Sequence, residues 1–137
     1  MSSETSVAAR GPWTDDWGYA RAVRIGDRIE VSGTSAIRAD GEVAHPGDPY
    51  AQTVFVLDVI ERALNRLGAT VEDVVRTRGF LVSIDDWREV GRAHAERFGA
   101  TMPASTCVAG IELMKPELLV EFEATAVIGG ARAGVAP

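Results

Sequence analysis

The run Asp48-Pro-Tyr-Ala-Gln-Thr-Val-Phe-Val-Leu-Asp-Val-Ile-Glu-Arg-Ala-Leu-Asn-Arg-Leu-Gly68 leads, after a short link, into Val74-Val-Arg-Thr-Arg-Gly-Phe-Leu-Val82. In the first segment Val56, Val59, Ile60, Ala63, Leu64 and Leu67 recur at three-and-four spacing, which commits one face of a helix to a core. Asp48 can accept hydrogen bonds from the free N–H groups of the first turn, Pro49 has its φ preset for that turn, and Gly68 ends the helix. The second segment is a strand. Its end, Gly79-Phe-Leu-Val82, is apolar on both alternations, the pattern of a strand buried on two sides.

Working outward, residues 19–25 and 28–33 are two strand-like runs joined by Gly26-Asp27, a two-residue link suited to a tight antiparallel hairpin. In the second run Ile29 and Val31 face one way and Arg28, Glu30 and Ser32 the other. A loop follows over residues 36–47. Beyond the central strand, Ser83-Ile-Asp-Asp86 resembles a capping box with Asp in place of Glu. It opens a second helix with Trp87, Val90, Gly91, His94 and Phe98 on one stripe, ending near Gly99. Residues 104–113 and 119–128 are the last strands, joined through Met114-Lys-Pro-Glu117. The order ββαβαββ predicts an α+β fold, one domain over residues 1–137, with residues 1–12 and 129–137 as unpatterned tails. Right-handed crossovers place both helices on one face of a mixed sheet. The other face then needs another subunit to cover it, so the order also predicts a homo-oligomer.

Net charge is −6, from 20 acidic against 14 basic residues, and the basic residues do not gather into a run. That balance argues against a nucleic-acid partner. No apolar run approaches the ~20 residues of a membrane helix, and the N-terminus lacks a basic-then-apolar leader, so no membrane partner and no secretion are expected. Cys107 is the only cysteine, which rules out an internal disulfide and fits a reducing, cytoplasmic setting. His45 and His94 form no metal-ligand spacing, so no metal site is expected. His94, on the apolar stripe of its helix, reads as a hydrogen-bonded core histidine, and Cys107 as a small buried thiol. Trp13 and Trp17 read equally as packing of an N-terminal arm or as the lining of a pocket.

The pair with chemical content is Glu121 and Glu123. They alternate with Val120, Phe122 and Ala124, so both carboxylates share one face of one strand. On a solvated sheet they are ordinary surface charges. On a face buried between subunits they need partners, for which Arg76 and Arg78 are candidates, and a carboxylate there can hold or activate a water.

Tyr19, Val-Ser-Gly33, Asp-Pro-Tyr-Ala-Gln52, Asp-Val-Val-Arg-Thr77, Pro-Ala-Ser-Thr-Cys-Val108 and Val-Glu-Phe-Glu-Ala124 fall in the order of the matching segments of the RidA family, also called YjgF, which the sequence resembles over residues 18–128. The resemblance implies a chorismate-mutase-like fold and a homotrimer with clefts between subunits. In the archetype these clefts hydrolyse reactive enamine and imine metabolites, such as 2-aminoacrylate, to keto acid and ammonia without a metal or organic cofactor. It implies Glu121 as the catalytic carboxylate that positions water, and Tyr19, Ser32 and Cys107 as substrate-binding residues. Ser105 stands where the family segment Pro-Ala-Arg-Ser-Cys-Val has its arginine, the planar cation that would grip a substrate carboxylate. Three readings follow. The chain deaminates a different imine with Arg78 or a neighbouring subunit supplying the charge; it deaminates a pathway-specific imine in a pocket lined by Trp13 and Trp17; or it is a non-catalytic trimer that binds a small, less acidic ligand. Ribonuclease activity, also attached to the family, sits badly with the acidic balance.

Overall fold

A computed structural model describes residues 4–130. The central helix forms as its sequence dictates: α2 spans Pro49–Arg66, and the Asp48 carboxylate accepts from the Ala51 N–H at 2.9 Å. The hairpin forms too, with β2 (Ala20–Ile25) paired antiparallel to β3 (Arg28–Ser35) and Gly26 taking φ 59 at the turn. β4 (Val74–Leu81), α3 (Trp87–Phe98), β5 (Ala104–Ala109) and β6 (Val120–Val127) complete the expected order.

Two elements precede them. Ser6–Ala8 is a short strand, β1, antiparallel to β2, and Thr14–Trp17 is a single helical turn, α1. The expectation that residues 1–12 are a tail is therefore corrected. Val7 is buried against the core while its neighbours are exposed, and three residues are too few for an alternation to be visible in sequence. At the other end the expected tail lies outside the described residues from 131 onward. β5 stops at Ala109, short of the expected 113, because Gly110 turns the chain at φ 82. The Ser83 hydroxyl accepts from the Asp85 N–H, but the reciprocal capping box forms instead at Thr70 and Asp73, one element earlier.

The sheet order is β1-β2-β3-β6-β4-β5. β6 inserts between β3 and β4, antiparallel to both, and β4 and β5 run parallel through α3. α2 packs on β6, β3 and α3, so both long helices cover one face. Ile60, Leu57 and Leu64 are buried there with Val31, Phe122 and Ala124, each large side chain contributing about 1.5–3 kcal/mol. Arg97 locks the helices together, donating to Asp58 at 2.6 Å and Glu61 at 2.8 Å. The buried Gln52 ties α2 to two loops, donating to the carbonyls of His45 and Glu117 and accepting from the Leu119 N–H.

Gly79 lies opposite Phe122 in the β4–β6 ladder, and a Cβ there would come within 2.7 Å of the ring. Gly79→Ala is expected to displace Phe122 and cost about 1–3 kcal/mol, read as a lower urea midpoint; an unchanged midpoint would show that the ring moves freely.

Candidate functional site

The site begins at a break in the sheet. Between Val31 and Thr34 the β3–β6 ladder slips, and the irregular residues are Ser32 and Gly33. The Ser32 hydroxyl donates to the Ala20 carbonyl at 2.7 Å, holding the two strands together where the ladder does not. Gly33, without a side chain, leaves room for the Glu121 carboxyl group: a Cβ there would lie 3.0 Å from the Glu121 Cδ.

Glu121 and Glu123 pair across to Phe80 and Arg78 on β4, whereas Phe122 between them is buried under the helices. Both carboxylates therefore stand on the face opposite α2 and α3, as their alternation requires. They line a cavity of about 640 Å³ together with Tyr19, Ser32, Gly33 and both Trp13 and Trp17. Within the single chain both tryptophans line this cavity, and Trp17 remains 81% exposed. Trp13 Nε1 donates to the Tyr19 hydroxyl at 3.1 Å, which fixes the phenol at the cavity wall.

Of the two arginines expected to face the carboxylates, Arg78 pairs with Glu123 at 3.3 Å, and Arg76 donates to the Thr106 hydroxyl instead. Neither guanidinium serves Glu121. Its cationic neighbour is Arg21, unremarked in the sequence, which donates to the Gly33 carbonyl and the Thr34 hydroxyl, both at 2.8 Å. Arg21 stands two residues beyond Tyr19, and its guanidinium lies 5.6 Å from that ring, so the available signal was a second polar side chain on the tyrosine's own strand. Burial pushes the Glu121 carboxyl above the usual carboxylate range; Arg21 pulls it back and the Glu123 charge adds to the rise. No side chain or backbone group among the described residues hydrogen-bonds to the Glu121 carboxylate, which leaves its oxygens free to hold a water or a ligand.

Ser105 and Cys107 lie elsewhere. They pair with Thr77 and Gly79, the β4 residues that share a face with Phe122, so both side chains point to the helix side of the sheet. Thr77 donates to the Ser105 hydroxyl at 2.8 Å and also meets His94 Nε2 at 2.8 Å. His94, whose ring also packs on Phe98 and Phe122, is thus the hydrogen-bonded core histidine its position suggested, and burial holds it below the ordinary imidazole range. Within one chain the expected site residues fall into two groups on opposite faces: Tyr19, Ser32, Glu121 and Arg78 on one, Ser105 and Cys107 on the other. β5 is one of the two edge strands of the sheet, opposite β1, and is exposed along most of its length.

Cys107 is correspondingly exposed in the single chain rather than the small buried thiol expected of it. Its sulfur nevertheless tucks toward Gly79, and desolvation pushes the thiol above its ordinary value. Iodoacetamide labelling followed against pH is expected to reach half its plateau rate above the ordinary thiol pKa of about 8.5. A midpoint at or below that value would mean that an anion-stabilising group sits beside the sulfur.

Residues 15–128 match the sequence pattern of the family described as Endoribonuclease L-PSP. An uncharacterised protein of Streptomyces coelicolor, SCO2049, is 37% identical over 94% of this chain and 97% of its own length. The 3-aminoacrylate deaminase RutC of Acinetobacter baylyi is 32% identical, over 79% of this chain and 85% of its own. The crystal structure of Rv2704 from Mycobacterium tuberculosis, described as a member of the YjgF/YER057c/UK114 family, superposes with a TM-score of 0.81 at 42% identity, covering 90% of this chain and 98% of that one.

Proposed function

The chain belongs to the RidA family, also called YjgF, and on that footing we propose that it hydrolyses small enamines or imines to a carbonyl compound and ammonia. The observation that carries this reading is the Glu121 carboxylate, half-buried, without a hydrogen-bond partner among the described residues, and facing a cavity it shares with Tyr19 and Ser32. An enamine first tautomerises to its imine. On the protonated imine, Glu121 takes a proton from water as the water oxygen bonds to the imine carbon, giving a carbinolamine. It returns that proton to nitrogen, then takes the remaining hydroxyl proton as the carbonyl forms, the C–N bond breaks and ammonia leaves. Asp16, Glu121 and Glu123 line the cavity, and their negative field favours the protonated imine, the more electrophilic form. The same three carboxylates repel a phosphate backbone, which argues against an endoribonuclease acting at this cavity.

The proposed active unit is a cytoplasmic homotrimer that uses neither a metal nor an organic cofactor. In it, the exposed β5 edge of one copy carries Ser105 and Cys107 to the Glu121 face of the next. That arrangement is supported by the split of the expected residues between two faces and by the open edge that carries one of the groups. RutC, 32% identical, carries an aminoacrylate deaminase name, which makes an aminoacrylate the first substrate to try.

A second reading rests on Ser105. Its hydroxyl, engaged by Thr77, offers a ligand a neutral contact in place of a charged fork, which suits a trimer that binds an uncharged group without hydrolysing it. The two readings separate in one assay. Aminoacrylate generated in situ should release ammonia faster with the protein than without it; a rate equal to the uncatalysed one would reject the deaminase and favour the binding module.

A further inference from the structure

The acidic charge of the chain conceals a local reversal. Arg10, Arg21, Arg38, Arg62 and Arg66, scattered along the sequence, converge on a cleft of about 340 Å³ between α2, β1 and the segment after β3, and no carboxylate among the described residues lines it. Two of the five are already engaged. Arg66 pairs with Glu4 at 2.7 Å, and Arg21 donates to Gly33 and Thr34. Arg10, Arg38 and Arg62 form no ion pair among the described residues, whereas Arg24, Arg28, Arg78, Arg92 and Arg97 all do. Unpaired guanidinium groups brought together repel one another, and a shared anion is the counter-charge that relieves it.

Beneath the cations the cleft is apolar, its floor made by Val7, Ile37, Phe55, Val59 and Ala63. Phe55 and Ile37 pack against the main core, so the floor is continuous with rigid structure rather than a loop fold. A volume near the low end of small-molecule clefts, about 300–1,000 Å³, admits one ring or a short branched chain.

We propose that this cleft, which adjoins the Glu121 site through Arg21, is a second binding site, for a small organic anion. The ligand is a carboxylate or phosphate monoester carried on a single aromatic ring or short branched chain. The anionic head is gripped by Arg38 and Arg62, whose planar forks suit both carboxylate and phosphate oxygens, and the apolar body lies on Phe55, Ile37 and Val59. Extended nucleic acid has the same phosphate chemistry, but the enclosed apolar floor favours a compact ligand over a chain of nucleotides.

The test is a titration followed by NMR on the methyl groups of Ile37 and Val59 and the ring of Phe55, with phenyl phosphate and benzoate as probes. Inorganic phosphate supplies a head without a body, and benzyl alcohol a body without an anionic head. Saturable shifts confined to the cleft are expected from phenyl phosphate, benzoate or both, about tenfold tighter than from either control. Whichever of the two binds more tightly identifies the head group. Arg38→Ala and Arg62→Ala, exposed positions that leave the fold intact, should each weaken binding about tenfold, and Arg88→Ala on α3 should not. The proposal is overturned by non-saturating shifts, by inorganic phosphate binding as tightly as phenyl phosphate, or by indifference to both substitutions. Displacement of phenyl phosphate by a short oligouridylate at lower concentration would also overturn it, reassigning the cleft to RNA.

Discussion

Glu121→Gln is expected to lower the rate of ammonia release from in-situ aminoacrylate by about 10²–10⁴-fold, the usual loss when a positioned acid–base group is removed. The exchange is nearly isosteric, so the side chain still fits against Gly33 and still fills its part of the cavity. What disappears is the ability to take a proton from water. The pH profile gives an independent readout. Because burial raises the Glu121 carboxyl, its ionised form, and hence activity, should fall away on acidification at a pH above the ordinary carboxylate value, and that acid limb should vanish in the variant.

Stability moves the other way. A carboxyl whose folded-state pKa is raised binds its proton more tightly folded than unfolded, so its stabilising contribution is complete below the unfolded pKa and is lost as pH rises through the folded one. At neutral pH the wild-type chain carries that cost and Glu121→Gln does not. Thermal melts should therefore show the variant at least as stable as wild type at neutral pH. A variant both inactive and unstable would point to a structural role, and undiminished activity would remove the water-positioning assignment.

Ser105→Arg is the second large expected effect. Aminoacrylates carry a carboxylate, and a charge-assisted bidentate pair is worth about 1.5–3 kcal/mol, so kcat/KM should rise about 10- to 150-fold. The gain should appear chiefly in KM, because the contact is made with the bound substrate as much as with the transition state. β5 is exposed at this position, and the exchange gives up only the hydroxyl contact with Thr77, so the fold should tolerate it. If kcat/KM does not change, residue 105 does not meet the carboxylate end of the substrate, and the charge must come from another group.

Much of this architecture is legible in the chain. The 3.6-residue period of residues 49–67 and the Asp48-Pro49 cap signal a helix without any tertiary context, as Gly26-Asp27 signals a hairpin. The alternation around Glu121 and Glu123 assigns them a common face, because a strand has no other way to place side chains two residues apart. β1 escaped notice since a three-residue strand has no period to detect. Arg21 escaped because its approach to Glu121 depends on the slip at Ser32-Gly33, and a ladder irregularity between strands distant in sequence leaves no local mark. Arg78 was legible as a partner for a carboxylate on β6 but not for which one: the register of β4 on β6 sets it against Glu123.

The segment order and the site alphabet are local properties: periodicity, capping, turn chemistry and alternation act within a few residues, and the sequence alone determines them. Which side chains meet is different, because it depends on strand register and on the side of the sheet each residue occupies. Only the tertiary structure separates Ser105 and Cys107 from Glu121, and only it draws five arginines, spread between positions 10 and 66, around one cleft of an acidic protein. The absence of a basic run is true of the chain as a string. Charge acts through space, where residues far apart in sequence become neighbours once β1, α2 and the segment after β3 have packed together.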